Sequence, residues 1–231
     1  ALMDHGTKIA SELATSYGMC TFELQKVPHA EQKVIYLGLT LGGFLSDGGW
    51  YCESRAVLAS CLRVCQDSTD AETPENLGRT LFCCQKLLHA AAAYCEFDQA
   101  RTTYKLALDT IKKLEAAGHK DYCYAPLYTE FSVLFFIRSE YDEAYKWSLA
   151  ALKALTPNLP PRTTVDVLRQ AAKSCVVTRE FQKAGLLIRQ AVYLAREVFD
   201  TDHPTYANVL IDYGFYLLNY DSIINSVSVY Q

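Results

Sequence analysis

The sequence predicts an all-α fold: about five helical hairpins in a right-handed solenoid, with one further helix leading them. Three observations predict it. An aromatic or apolar residue recurs on a 3, 4, 3 spacing with small residues at Tyr51, Ser54, Leu58, Cys61, at Phe97, Ala100, Tyr104, Ala107, at Tyr141, Ala144, Ser148, Ala151, at Phe181, Ala184, Ile188, Ala191, and again at Ile223, Ser226 and Tyr230. That spacing places each set on one helix face, where the small member admits a neighbouring backbone. Nine positions before each leading residue stand Gly42, Leu88, Ser132, Ala172 and Gly214, inside a second helical apolar pattern. The prolines fall between hairpins, just before or in the first helical turn, where a missing N–H costs little.

Taken in order, the first helices of the pairs (A) are predicted near 31–47, 75–94, 122–139, 163–179 and 204–219. Their partners (B) fall near 50–66, 97–117, 141–155, 181–199 and 221–231. The repeats are 31–66, 75–117, 122–155, 163–199 and 204–231, read as one continuous solenoid over residues 1–231. Pro28, Pro74, Pro126, Pro160–Pro161 and Pro204 open the A helices, and His203 with Pro204 reads as a helix start. The stretches DSTDAETPEN and TPNLPPR read as solvated connections. Trp50 and Trp147 flank the aromatic anchors and are expected to pack between repeats. The last B helix stops before its fourth anchor, so Ser222 to Gln231 is expected to fray or to borrow a neighbour's surface.

Composition narrows the function. Half of the 231 residues are apolar, a fifth are charged, and the net charge is −4. Nucleic acid is not an expected partner, because counterion release needs a strongly basic face. The basic run Lys105 to Lys120 is diluted by Asp109 and Glu115. Ile35 to Leu45 falls short of the ~20 apolar residues that span a bilayer, so membrane association is expected to be peripheral at most. The opening ALMDHGTKIA lacks the layout of a secretory signal and reads as the middle of a longer chain.

Candidate chemistry dissolves on inspection. LGGFLSDGGW lacks the Lys-Ser/Thr ending of a phosphate loop, so its glycines are assigned to a close helix contact and a turn. The five histidines have no nucleophile and orienting acid at motif spacing, so no enzyme and no cofactor are expected. Nine cysteines show no CxxC pair. Cys61 and Cys65 stand one helical turn apart, but two thiols without further ligands make a poor zinc site, and no metal is expected. They read as small buried residues in the reducing cytosol or nucleus.

Helix–turn–helix units with small residues at the contacts and aromatics at the turn form the tetratricopeptide pattern, here with periods of 40 to 46 residues. HPTYANVLIDYGFYLLNY, with its HP-x-x-A opening, and SEYDEAYKW resemble the repeats of kinesin light chain. VDVLRQAAKSCVVTREFQKA, AVYLARE, DYGFYLLN and LGGFLSDGGWY resemble a family of tetratricopeptide substrate receptors of a cullin-RING ubiquitin ligase. That resemblance implies docking to elongin B/C and a cullin through a segment that ALMDHGTKIA does not match. It also implies recognition of C-terminal tails, including that of the amyloid precursor protein, and links to microtubules and membrane-protein trafficking. The alternative it leaves is a kinesin-light-chain-like adaptor joining membrane-protein tails to microtubules. The implied location is cytoplasmic, with the nucleus, cytoskeleton and membrane surfaces as further sites.

In tetratricopeptide solenoids fixed positions of helix A line the peptide groove. Counted from the anchors, these are Thr129, Glu130, Val133 and Phe136 in the third pair, Asp166, Arg169, Gln170 and Lys173 in the fourth, and Asn208, Ile211, Asp212 and Phe215 in the fifth. Arg169 and Lys173 are expected to hold a peptide carboxylate, and Glu130, Asp166 or Asp212 a basic side chain. Arg169→Glu or Asp166→Lys is then expected to weaken such a peptide by ~1–3 kcal/mol without unfolding the array.

Overall fold

The computed structural model describes residues 2–24, 27, 30–118, 122–220 and 222–230, and among these it is all-helical. The helices are α1 (Leu2–Leu24), α2 (Glu31–Asp47), α3 (Tyr51–Asp67), α4 (Pro74–Ala93), α5 (Phe97–Ala116), α6 (Ala125–Ile137), α7 (Tyr141–Lys153), α8 (Pro161–Val177), α9 (Phe181–Phe199), α10 (Pro204–Asn219) and α11 (Ile223–Tyr230). The even-numbered helices from α2 to α10 are the A helices, each followed by its B partner. The chain divides into two compact units, 1–122 with α1 to α5 and 123–231 with α6 to α11.

Proline chemistry sets the helix starts. Pro74, Pro161 and Pro204 stand first in α4, α8 and α10, and Pro126 lies in the first turn of α6. A ring deeper inside a helix would clash with the preceding turn. This is why α6 begins at Ala125 rather than 122, and α8 at Pro161 rather than 163. Thr73 caps α4 by accepting from the Asn76 N–H, and His203 Nδ1 accepts from the Thr205 N–H at 3.1 Å. His203 therefore opens a helix, as its position before Pro204 indicated. Pro28, His29, His119, Lys120, Asp221 and Gln231, which carried parts of the sequence reading, lie outside the described residues.

One turn joins A to B in the first four pairs. Gly49, Cys95, Ser139 and Arg179 take positive φ, each two residues before the aromatic anchor. The next N–H reaches back to the helix: Trp50 to Leu45 O, Glu96 to Ala91 O, Glu140 to Phe135 O and Glu180 to Cys175 O, all at 2.8–2.9 Å. This closes the helix end and satisfies carbonyls that would otherwise lack a donor. Three of these four residues are not glycine. That explains why the predicted A helices at 75–94, 122–139 and 163–179 overran by one or two residues.

The small anchors do what their spacing promised. Ser54, Ala100, Ala144, Ala184 and Ser226 are all buried. The hydroxyl of Ser54 donates to Gly42 O at 2.7 Å and that of Ser226 to Gly214 O at 3.0 Å. In the third pair the bond reverses, Ser132 on helix A donating to Ala144 O at 2.8 Å. These bonds require the two backbones to approach closely, which only small residues allow. Trp50 packs against Gly6 of the leading helix, whereas Trp147 packs inside its own pair, 4.9 Å from Phe131 and 5.1 Å from Tyr128 between ring centroids. Ser226 and the Tyr230 hydroxyl tie α11 to α10, the latter bonding Ile211 O at 3.2 Å.

Candidate peptide-binding face

In the second unit, α8 lies against both α6 and α10, so three A helices present one shared face. The fourth-pair residues were placed on one stripe by a spacing of three and four, and the fold brings neighbours to meet them. Arg169 Nε donates to Asp212 Oδ2 at 2.6 Å, joining α8 to α10. The same guanidinium lies 3.5 Å from Asp166 Oδ1, and Lys173 Nζ lies 3.8 Å from Asp212 Oδ1. Lys173 also stands 5.9 Å above the Phe136 ring of α6, where the ring's negative face attracts it. Burial lowers the Lys173 pKa, and Asp212 opposes that shift. Glu130 acts on Lys173 in the same supporting sense.

The stripe is therefore a connected set of charges, three acids and two bases, held across three helices. Asp212 is nearly buried, with its side chain 9% exposed, while Asp166 is 47% exposed. Phe136, Val133 and Phe215 are half-buried beside it, and Asn208 and Ile211 are exposed. Such a face offers a tail two cations for a carboxylate, an accessible acid for a guanidinium, and apolar ground for the residues between.

Two of the expected lining residues turn inward. Thr129 is buried and its hydroxyl donates back to Ala125 O at 2.8 Å. Gln170 is buried and its Nε2 donates to Ser132 Oγ at 3.1 Å, with Ser174 Oγ 3.3 Å from the same hydroxyl. Gln170 thus ties α8 to α6, whereas Thr129 bonds within its own helix, and both side chains are withdrawn from the surface a peptide would meet. Arg169 also carries a structural duty. Arg169→Glu would set a second carboxylate against the near-buried Asp212, so loss of binding in that variant would be mixed with loss of packing. Asp166→Lys is the cleaner probe.

Counting from the anchors also marks a face in the first unit that the sequence reading did not name. Tyr36 and Phe82 stand six residues before Gly42 and Leu88, the register that Asp166 and Asn208 hold in their own pairs. With Leu39, Glu75, Gly78 and Arg79 they line an open cleft between α2 and α4. Tyr36 is 73% exposed there. The repeat register was the available signal, and the apolar context of both aromatics disguised them as core.

No protein-family model matches the chain. It is 47% identical over its whole length to amyloid protein-binding protein 2 of Rattus norvegicus and of Mus musculus, and it spans 39% of the length of each. Among solved structures, BtubC (BKLC) from P. vanneervenii superposes with a TM-score of 0.69 at 11% identity, covering 96% of this chain and 87% of that one. A Podosopora anserina structure described as kinesin light chain nearly identical TPR-like repeats gives 0.54 at 14% identity, covering 88% of this chain and 93% of that one. These likenesses show the all-α tetratricopeptide-like fold.

Proposed function

We propose that this chain, like amyloid protein-binding protein 2 along its whole length, supplies the peptide-recognising repeats of a substrate receptor for a cullin-RING ubiquitin ligase. On this reading its ligands are C-terminal tails of substrate proteins, and the relatives' name, amyloid protein-binding protein 2, supports amyloid protein as one source of them. Elongins B and C and the cullin dock outside these residues, and the receptor works in the cytoplasm or nucleus without catalysis of its own. The observation that carries the reading is the charged face shared by α6, α8 and α10, with Arg169 and Lys173 bridging to Asp212, and Asp166 on the same stripe, beside Phe136 and Ile211. A tail carboxylate arriving there meets Lys173, whose pKa burial lowers and whose charge a further anion would support as Asp212 does. A tail arginine meets the exposed Asp166. Both contacts are charge-assisted, the class of hydrogen bond that is strongest when water is excluded.

The test uses the full-length protein in cells. Elongin capture is measured beside the turnover of a reporter ending in a basic, glycine-containing tail. Asp166→Lys is expected to slow turnover while elongin capture stays unchanged. If the protein captures no elongin and instead co-sediments with microtubules carrying the tail, the ligase reading fails and the kinesin-light-chain-like adaptor takes its place.

A further inference from the structure

Three thiols converge in the core of the first unit. Cys61 and Cys65 stand one turn apart on α3, Cys83 comes from α4, and the three sulfurs all lie within 4.8 Å of one another. Cys61 and Cys83 are 3.6 Å apart, and all three residues are fully buried. The third thiol is what spacing could not supply, because Cys83 reaches the pair only through the packing of α3 on α4.

The repeat makes this concentration specific. The position of Cys61 is held by Ala107, Ala151 and Ala191 in the later pairs, that of Cys65 by Ile111, Leu155 and Ala195, and that of Cys83 by Leu127, Val167 and Val209. Ordinary apolar residues therefore stand at these repeat positions in the later pairs. Tyr17 of α1 closes another side. Its hydroxyl interacts with Cys61 and donates to Val34 O at 3.0 Å, which leaves the oxygen's lone pairs available to an electrophile. Gly38 makes that approach possible, since a Cβ there would collide with the Tyr17 hydroxyl and stand 2.8 Å from Cys61 Cβ.

We propose that Cys61, Cys65 and Cys83 bind one Zn²⁺ ion as thiolates in a closed structural site, with the Tyr17 oxygen in the fourth position. Three atoms no more than 4.8 Å apart share a centre at most about 2.8 Å from each, and the Zn–S distance is about 2.3 Å, so movements of about half an ångström complete the site. Three Zn–S bonds form and three S–H protons leave to solvent. The product carries one net negative charge, and Arg79, whose charge already acts on Cys65, offsets part of it. Complete burial excludes water from the coordination sphere, as befits a site that holds α1, α3 and α4 together rather than one that performs chemistry.

The experiment is metal analysis of the whole chain under reducing conditions, followed by cobalt substitution. We expect about one zinc per chain, as for a structural site, and with Co²⁺ both a sulfur-to-cobalt charge-transfer band and the visible bands of tetrahedral cobalt. Cys83→Ala should lose metal and both bands. Cys84→Ala, an equally buried neighbour outside the triangle, should keep them. Tyr17→Phe should keep the charge-transfer band and shift the visible ones. The site is refuted if the wild-type chain takes up neither ion, or if Cys83→Ala binds cobalt with the wild-type spectrum. Should Cys83→Ala fail to fold, the charge-transfer intensity of the wild-type cobalt protein counts the thiolates directly, and a value below three refutes the site.

Discussion

Gly42 and Gly43 are neighbours in α2 with opposite demands on them. A Cβ at Gly42 would stand 2.5 Å from Leu58 Cγ, across the contact where Ser54 bonds Gly42 O, whereas one at Gly43 would meet nothing within 4 Å. Gly42→Ala should therefore destabilise by ~1–3 kcal/mol through overpacking. Gly43→Ala should stabilise by up to ~1 kcal/mol through helix propensity. Urea denaturation of the two variants reads both signs, and equal effects would contradict the close-contact account. A second residue-scale test concerns Arg169 and Asp212. Arg169→Met strands most of a near-buried carboxylate and should cost ~2–4 kcal/mol, while Arg169→Met combined with Asp212→Leu should recover much of that loss. Additive losses in the double variant would mean that the pair is not coupled across α8 and α10.

At the scale of the element, the A-to-B turn stores strain that glycine would relieve. Cys95, Ser139 and Arg179 hold φ of 57°, 61° and 62°, while the first pair places Gly49 at the same point. An L-residue in this region costs about 1 kcal/mol or more, so Cys95→Gly, Ser139→Gly and Arg179→Gly should each stabilise by ~0.5–1 kcal/mol. Thermal melts that move down in all three would show that these side chains contribute contacts outweighing the strain. The same turns explain what the sequence concealed about boundaries. Helix starts were legible because Pro74, Pro161 and Pro204 announce them chemically, and α2, α9 and α10 were predicted with the bounds they have. Helix ends lacked the expected glycine three times in four, so the apolar pattern ran on past the true stop.

For the whole molecule, the periodic anchors carried the fold because each is a local packing necessity repeated five times. The candidate site was legible only in part. Register marked candidate residues on α6, α8 and α10, yet register cannot say whether a polar side chain faces outward or a neighbouring helix. Gln170 and Thr129 bond inward, and Asp212 is shared by two cations, all through partners some 40 residues away or through their own backbone. Cys83 was hidden for the same reason, being distant in sequence from the thiols it meets. The central claim is that the shared A-helix face of the second unit holds a peptide tail. Its most direct test is a titration of a basic, glycine-containing C-terminal peptide against wild type, Asp166→Lys and Ile211→Glu, two substitutions at exposed positions, with circular dichroism to verify folding. We predict that each variant weakens binding by ~1–3 kcal/mol, about fivefold to 150-fold, and that amidating the peptide's C-terminus weakens binding to wild type similarly. Unchanged affinity in both folded variants, with amidation tolerated, would contradict the account.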